Sequence, residues 1–202
     1  MPPLAHELQL LPPYLALWHA YDRTARVELY STAIRTGDGL IVIDPTALNR
    51  RAFCELDRLG PVTSILLTNV NHERAADSFA NNYAAPIFGP KELIDAGNRF
   101  RRLAEGALHG LDVIAIDGAA PGEIAIYDPR SPGVLIIGDA LINFDPYGFS
   151  LLPRKYCTDQ KLMIRSLTRL LDLQFEKMLF AHGLPITTRA HDRLTSLLEQ
   201  TS

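Results

Sequence analysis

The sequence predicts an α/β or α+β protein in which sheets are covered by helices. Apolar runs and helical periodicities alternate from about residue 26 to the C-terminus. Residues 40–43 are wholly apolar, as a central strand of a sheet is, and residues 62–67 predict the next buried strand. The 202 residues are 47% hydrophobic and 21% charged, which is ordinary for one globular domain. We therefore expect a single domain over residues 26–202, with residues 1–25 as an N-terminal lead-in that packs on it.

The first half of the chain alternates strands with helices. Asn49 is placed to cap a helix whose apolar residues recur at i, i+4 and i+7, and Gly60-Pro61 ends that helix. An apolar stripe predicts a second helix over residues 76–83. A solvated turn is expected at the basic run formed by Arg99, Arg101 and Arg102. The remaining elements expected here are strands at 26–35, 40–43, 62–67 and 86–88, and a small helix near 91–96.

The second half predicts three strands, a loop, and then a helix, a strand and a closing helix. Residues 128–133, Asp-Pro-Arg-Ser-Pro-Gly, are typical of a hairpin loop. Residues 143–157 are rich in proline, glycine and aromatic residues and are expected to form a loop. The expected strands are 111–116, 123–127, 134–137 and 177–181, and helical periodicities cover 163–171 and 190–198.

Composition excludes several classes of function. A formal charge of −3 leaves no basic field to hold nucleic acid or an anionic membrane. The partner expected is a small-molecule ligand or substrate whose identity the sequence does not give. No window reaches the roughly 18 apolar residues of a membrane span, and the N-terminus has no signal-peptide pattern. Two cysteines, Cys54 and Cys157, make no disulfide framework, so we expect reduced thiols and a cytoplasmic location.

Polar residues crowd the ends of four predicted strands. Asp44 follows the first apolar run, and residues 68–74, Thr-Asn-Val-Asn-His-Glu-Arg, follow the second. Asp139 and His182 follow two later strands. The carboxyl ends of strands are where α/β proteins gather ligands, so these residues predict one shared cleft. The common phosphate-binding, serine-hydrolase and zincin motifs do not occur in the sequence.

The order of these segments resembles the metallo-β-lactamase superfamily. The segments that carry the resemblance are LIVIDP, LLTNVNHERA, AAPGEIAIY, IIGDAL and FAHG, and they cover roughly residues 26–200. The resemblance implies a four-layer αββα sandwich, with a dinuclear zinc or iron site at one edge. It also implies that Asp139 is the bridging aspartate, His182 the last histidine ligand and Asp44 a structural aspartate.

This chain departs from the family pattern at most of the implied metal ligands. The family usually reads T-H-x-H-x-D-H after the second buried strand. Here the leading histidines are Asn69 and Asn71, the aspartate is Glu73 and the last histidine is Arg74, while His72 falls on a position that the family does not use for metal. The histidine of the family's H-x-P-G segment is replaced by Ala119. A guanidinium beside a divalent ion is repulsive, so we expect Arg74 to pair with Asp139 or Glu73 in a metal-free site.

Three hypotheses for function follow from this pattern. The first is a degenerate member that resembles a metal-dependent hydrolase, lacks the dinuclear zinc centre, needs no cofactor and keeps a ligand-binding cleft. The second is a hydrolase with one zinc or iron ion on Glu73, Asp139 and His182 and a metal-bound water as nucleophile. The third is metal-free acid–base catalysis, with His182 or His72 as base and Arg74 holding an oxyanion.

The same residues also allow structural interpretations. Asn71 would cap the helix that follows, and Asn69 would hold a turn by bonding backbone amides.

Taken together, the strand-end residues give two sets of candidates. The catalytic candidates are Asp139, His182 and Arg74, and the cleft candidates are Asn69, Asn71, His72, Glu73 and Asp44. Loop 143–158 is expected to be a packed lid; as a substrate wall, its Arg154 and Lys155 would favour an anion.

Overall fold

The computed structural model describes residues 3–94 and 99–201. The chain divides into two compact units, residues 1–103 and residues 104–202, and each unit contains a mixed sheet with helices. We call them the first and the second unit and describe each by itself.

The first unit is built on a sheet that is antiparallel at one side and parallel at the other. Its order is β2-β3-β4-β5-β7-β8-β9, with antiparallel pairing from β2 to β5 and parallel pairing from β5 to β9. The strands are β1 (Leu4–Ala5), β2 (Gln9–Leu11), β3 (Leu15–Asp22), β4 (Val27–Arg35), β5 (Leu40–Ile43), β6 (Ala47–Leu48), β7 (Val62–Leu66), β8 (Ile87–Gly89) and β9 (Phe100–Arg102). The helices are α1 (Arg50–Asp57) and α2 (Ala76–Tyr83), followed by a 3₁₀ turn at Lys91–Leu93.

Both helices of the first unit pack on its sheet through apolar side chains. Leu56 of α1 and Phe79 of α2 lie in one buried cluster with Trp18, Val42 and Ile65 of the sheet. The predicted cap of α1 is confirmed, because the Asn49 side chain accepts a hydrogen bond from the Ala52 amide at 2.8 Å. This packing presents the carboxyl ends of the neighbouring parallel strands β5 and β7 side by side.

The second unit has a sheet of order β10-β11-β12-β13-β16, antiparallel except for the parallel pair β13–β16. A separate hairpin pairs β14 with β15. The strands are β10 (Gly106–Leu108), β11 (Leu111–Ala115), β12 (Ile124–Asp128), β13 (Val134–Ile137), β14 (Leu141–Phe144), β15 (Gly148–Leu151) and β16 (Lys177–Phe180). The helices are α3 (Gln160–Thr168) and α4 (Ala190–Glu199), with 3₁₀ turns at Arg154–Tyr156 and Arg169–Asp172.

The core of the second unit is likewise a helix layer on a sheet. Met163 and Leu167 of α3 and Leu194 of α4 pack with Leu135 and Met178 of the sheet. The predicted hairpin loop at residues 128–133 is confirmed, because β12 and β13 on either side of it pair antiparallel. Both cysteines are free thiols, as expected. Within the described residues, no helix is long and apolar enough to cross a membrane.

Several local predictions need correction. Residues 143–157 contain the end of strand β14, all of strand β15 and a 3₁₀ turn, where a continuous loop was expected. Arg101 and Arg102 belong to strand β9 and Arg99 directly precedes it, where a solvated turn was expected. The helix expected near 91–96 is a 3₁₀ turn over its first three residues, Ile94 after it has an extended backbone, and residues 95–96 lie outside the described residues. Within the segment expected as a lead-in, β2 and β3 are strands of the main sheet of the first unit.

Candidate functional site

In the first unit, the chain brings polar residues together at the ends of two parallel strands. Asp44 directly follows β5, and Thr68 lies two residues beyond β7. Because β5 and β7 are hydrogen-bonded neighbours, the Thr68 amide reaches Asp44 and donates to its Oδ1 at 2.8 Å. The Asp44 backbone has φ of 48°, in the left-handed region, and Ser31 fixes this turn by donating its hydroxyl to the Asp44 carbonyl at 2.8 Å.

The carboxylate of Asp44 is the centre of a buried network. Its Oδ2 lies 2.5 Å from the Thr68 hydroxyl and 2.9 Å from Nδ1 of His72. The Asp44 and His72 side chains are each only 3% exposed. Sequence reasoning placed both residues in a ligand-binding cleft but missed their direct contact. No sequence signal joins them, because they are 28 residues apart and meet only through strand pairing.

The charge of the Asp44 carboxyl is stabilised by its neighbours. Burial by itself would raise the pKa of Asp44. The charge and hydrogen bond of His72, the charge of Arg74 and the hydrogen bond of Thr68 together outweigh burial, and the pKa falls below the ordinary 3.8. The Asp44 carboxyl is therefore ionised at neutral pH in the folded protein.

Arg74 makes internal contacts within the first unit. Its φ of 41° is unusual for a residue with a side chain. From this turn its guanidinium Nη1 donates to the backbone carbonyl of Tyr30 at 2.6 Å and to that of Asp44 at 3.0 Å. The guanidinium thus links strand β4 to the turn that follows β5.

Glu73 forms a salt bridge with an arginine, but not with its neighbour in sequence. Its Oε2 lies 2.7 Å from Nη1 of Arg99, and the same guanidinium binds the Asp77 carboxylate through two further nitrogens at 2.8 and 2.6 Å. These carboxylates raise the pKa of Arg99, the hydrogen bond to Asp77 contributing most. Glu73 is thus paired with Arg99, whereas the sequence analysis offered Glu73 as one of two carboxylates that Arg74 would pair with.

The two asparagines at the leading positions form a turn. The Asn69 side-chain oxygen accepts a hydrogen bond from the Asn71 amide at 2.8 Å, as the turn interpretation predicts. Asn69 is fully buried. The proposed capping role of Asn71 is wrong, because α2 begins at Ala76 and its N-cap residue, Ala75, makes no side-chain cap.

In the second unit, parallel pairing again places two polar side chains together. Asp139 follows β13 and His182 follows β16, and these strands are hydrogen-bonded neighbours. Nε2 of His182 lies 3.2 Å from Oδ1 of Asp139, and the two side chains are 16% and 15% exposed. The structure therefore confirms the prediction that these two strand ends meet.

A buried carboxylate supports the turn that carries Asp139. Glu123, which is 3% exposed, accepts a hydrogen bond from the Ala140 amide at 3.1 Å. Ala119, at the position of the histidine in the family's H-x-P-G segment, is fully buried and has only a methyl side chain. Glu123 lies in the AAPGEIAIY segment, whose sequence gives no signal that it contacts the Asp139 turn.

A cavity of about 770 Å³ in the first unit was not predicted from the sequence. Its walls include Tyr30 and His19, whose rings stack with centroids 4.9 Å apart. His19 also pairs with Glu28, Nδ1 to Oε2, at 2.9 Å. Since the Tyr30 carbonyl accepts a hydrogen bond from Arg74, a residue in the wall of the cavity is bonded to this arginine.

The segment expected to be a lid or a substrate wall carries exposed aromatic residues. Tyr147 at the turn between β14 and β15 is 56% exposed, and Tyr156 is 59% exposed. The Lys155 ammonium lies 4.7 Å from the Tyr156 ring centroid. These side chains are accessible to a ligand, but their role stays a prediction.

A family model and solved structures match almost the whole chain. The model described as the metallo-beta-lactamase superfamily matches residues 8–201. The DIM-1 metallo-beta-lactamase has 15% identity and a TM-score of 0.73, covering 98% of this chain and 100% of that chain. A metallo-beta-lactamase from Erythrobacter litoralis has 14% identity and a TM-score of 0.70, with coverages of 96% and 92%. A metallo-beta-lactamase family protein from Thermus thermophilus has 21% identity and a TM-score of 0.68, with coverages of 96% and 80%.

These likenesses confirm the predicted fold class. The solved structures, each less than 25% identical to this chain, show the fold alone. No curated protein sequence matches the chain.

Proposed function

Because this chain belongs to the metallo-β-lactamase superfamily, we propose that it is a hydrolase-like member which binds a small-molecule ligand without a dinuclear zinc centre. The observation that carries the proposal is the placement of Arg74. Its guanidinium, at a position where the family has a histidine ligand, bonds the Tyr30 and Asp44 carbonyls inside the first unit. A guanidinium has donors only, so it offers no lone pair to a cation and repels one.

The other residues at the implied ligand positions also do not fit a dinuclear centre. Zinc in proteins is bound by imidazole, thiolate or carboxylate. Asn69 and Asn71 supply amides, and the Asn69 oxygen is bonded to the Asn71 amide. Ala119 supplies no donor atom. Glu73 is a suitable carboxylate, but it is held in a salt bridge by Arg99.

The cavity in the first unit supports binding of a small molecule. Its volume of about 770 Å³ lies within the range that ligand pockets usually have, roughly 300–1,000 Å³. Its wall combines the stacked His19 and Tyr30 rings with the Glu28 carboxylate, which suits a small organic molecule with polar groups. The formal charge of −3 supports neither nucleic acid nor an anionic membrane as partner.

A second candidate function is supported by the pair in the second unit. Aspartate and histidine side chains are both good zinc ligands, and Oδ1 of Asp139 lies 3.2 Å from Nε2 of His182. One zinc or iron ion bound there would act as a Lewis acid and acidify water for hydrolysis. Under this alternative Glu73 would have to leave Arg99 to complete the ligand set inferred from the resemblance.

Hydrolysis assays separate these proposals. The probe is a chromogenic cephalosporin, because lactams are among the substrates of the family. We expect untagged wild-type protein with added zinc to hydrolyse it no faster than a matched His182→Ala variant. Turnover that a chelator and His182→Ala both abolish would instead establish the one-metal candidate. Turnover that resists chelators and fails in Arg74→Ala would establish metal-free acid–base catalysis.

A further inference from the structure

Asn143, in the first strand of the β14–β15 hairpin, is hydrogen-bonded to the loop that carries His182. The Asn143 amide donates to the His182 carbonyl at 3.1 Å, and the Leu184 amide donates back to the Asn143 carbonyl at 2.9 Å. The Asn143 side chain adds a third bond, from Nδ2 to the Leu184 carbonyl at 2.7 Å. The residues on both sides of Gly183 are thus held by one asparagine.

Gly183 is the residue that permits this close approach. Its φ of 110° is a conformation that side chains disfavour. A Cβ built on Gly183 would lie 2.1 Å from the Asn143 carbonyl oxygen, well inside contact distance. Any larger residue at position 183 therefore has to move the loop away from β14, and the adjoining His182 with it.

We propose that Asn143 is a positioning residue for His182, and that together with Gly183 it holds the His182 imidazole beside Asp139. Three hydrogen bonds fix the backbone on both sides of Gly183, and β16 fixes the residues that precede His182. Because the backbone is held in this way, the His182 imidazole can change its position mainly by rotation about its side-chain torsions. Supporting contacts of this kind orient functional histidines in many sites.

The inference deepens the proposed function, since it concerns how a residue of the candidate site is held. It applies to the second unit alone and does not depend on whether a metal binds. It also links the site to the hairpin, because any ligand that displaces the β14–β15 hairpin would move His182 through Asn143.

The test uses imidazole ¹⁵N NMR of the full chain as purified, at one neutral pH. The chain has six histidines, and the His182 signals are assigned from a His182→Ala variant. Asn143→Asp removes the Nδ2 donor at almost constant size, and Asn143→Ala removes the side chain. We expect both to move the His182 imidazole signals and to leave those of the other histidines in place. A purely structural role would lower the thermal midpoint without this selective displacement.

Two matched controls lie in the same hairpin. Ser150→Ala removes a hydroxyl that has no hydrogen bond within the described residues, and it should leave the His182 signals unchanged. Gly148→Ala introduces a side chain at φ of 63° with open space around it, whereas Gly183→Ala adds the clash with Asn143. Only Gly183→Ala should move the His182 signals. If Gly183→Ala does not fold, the two Asn143 variants decide the matter.

His182 signals that stay in place in Asn143→Asp and Asn143→Ala would overturn the proposal. The metal content of the same wild-type sample tests the proposed function separately. Metal in that sample would contradict the metal-free account, yet the comparison of His182 signals between variants would still be valid. The two proposals can therefore fail independently.

Discussion

The Asp44 carboxylate lies 2.9 Å from Nδ1 of His72, and both side chains are almost completely buried. The contact fixes the imidazole from its Nδ1 side, as carboxylates do for histidines that bind metals or act as bases. His72 stands one position from each of the implied ligand positions occupied by Asn71 and Glu73. The turn thus carries an oriented histidine, while the implied ligand positions hold other residues.

Loss of the Asp44 carboxylate should lower the free energy of unfolding and make that free energy depend less on pH in the acid range. The folded-state pKa of Asp44 lies below 3.8, so its contribution is present above that pH and lost as the pH falls through the folded-state value. We expect Asp44→Asn to lower the free energy of unfolding at pH 7 by about 2–3 kcal/mol, since charged hydrogen bonds to Thr68 and His72 are lost.

Urea denaturation of Asp44→Asn and wild type across pH 3–7 checks this prediction. The difference in the free energy of unfolding between the two proteins should become smaller toward pH 3. Asp38→Asn, in the exposed turn before β5, is the matched control and should change little at any pH. A difference between Asp44→Asn and wild type that persists unchanged at acid pH would contradict the assignment of charge to Asp44.

Arg74 should stabilise the protein through its guanidinium despite its strained backbone. Arg74→Gly relieves the left-handed φ of 41°, worth about 1 kcal/mol, but loses two charged hydrogen bonds worth about 1.5–3 kcal/mol each. We expect a net loss of about 2 kcal/mol or more by urea denaturation. Ala84→Gly, also at a left-handed residue with φ of 53°, should instead gain about 1 kcal/mol. Similar gains in both variants would show that the guanidinium contributes nothing.

Glu73 should behave as a surface ion-pair partner and should not affect metal content. The Glu73 and Arg99 side chains are 37% and 39% exposed, so Glu73→Gln should cost less than about 1 kcal/mol. This small cost should vanish in about 1 M salt, where exposed pairs are screened. Elemental analysis should find the same metal content in the variant and wild type. A metal content that falls specifically in Glu73→Gln, and not in Glu92→Gln, would favour the one-metal candidate.

Glu123 should support the turn that follows Asp139. Glu123→Ala leaves the buried Ala140 amide without this acceptor, which should cost about 2–3 kcal/mol in the free energy of unfolding. Glu123→Gln keeps an acceptor and should cost less. Glu176→Ala removes a similar bond, to the Arg189 amide at 2.9 Å, but at an exposed position where water replaces it. Equal losses in Glu123→Ala and Glu176→Ala would contradict this account.

The sequence predicted those helices and strands whose own residues show a hydrophobic run, a helical periodicity or a helix cap. β5 is an apolar run, β7 is rich in β-branched and apolar residues, and α1 has both its Asn49 cap and its apolar periodicity, so all three were predicted correctly. β14 and β15 were missed because each has four residues and lies within a segment broken by Pro146 and Gly148. Their stability depends on pairing with each other, which their composition does not reveal.

For the candidate site, the sequence predicted that Asp139 and His182 meet, but it did not predict how most of the other candidate residues pair. Asp139 and His182 retain that pattern and meet at parallel strand ends, as expected. The Asp44–His72 contact, the Glu73–Arg99 salt bridge and the bonds made by Asn143 join residues distant in sequence. Such contacts depend on strand register and loop conformation, which no short motif encodes.

Metal content per chain tests the central claim most directly. Untagged protein purified without chelators would be measured by elemental analysis beside a variant restored at the implied ligand positions. The restoring changes are Asn69→His, Asn71→His, Glu73→Asp, Arg74→His and Ala119→His. The account predicts a metal-to-chain ratio near zero for the wild type and stoichiometric zinc in the restored variant. A wild-type ratio of about one or more, retained through dialysis, would contradict it.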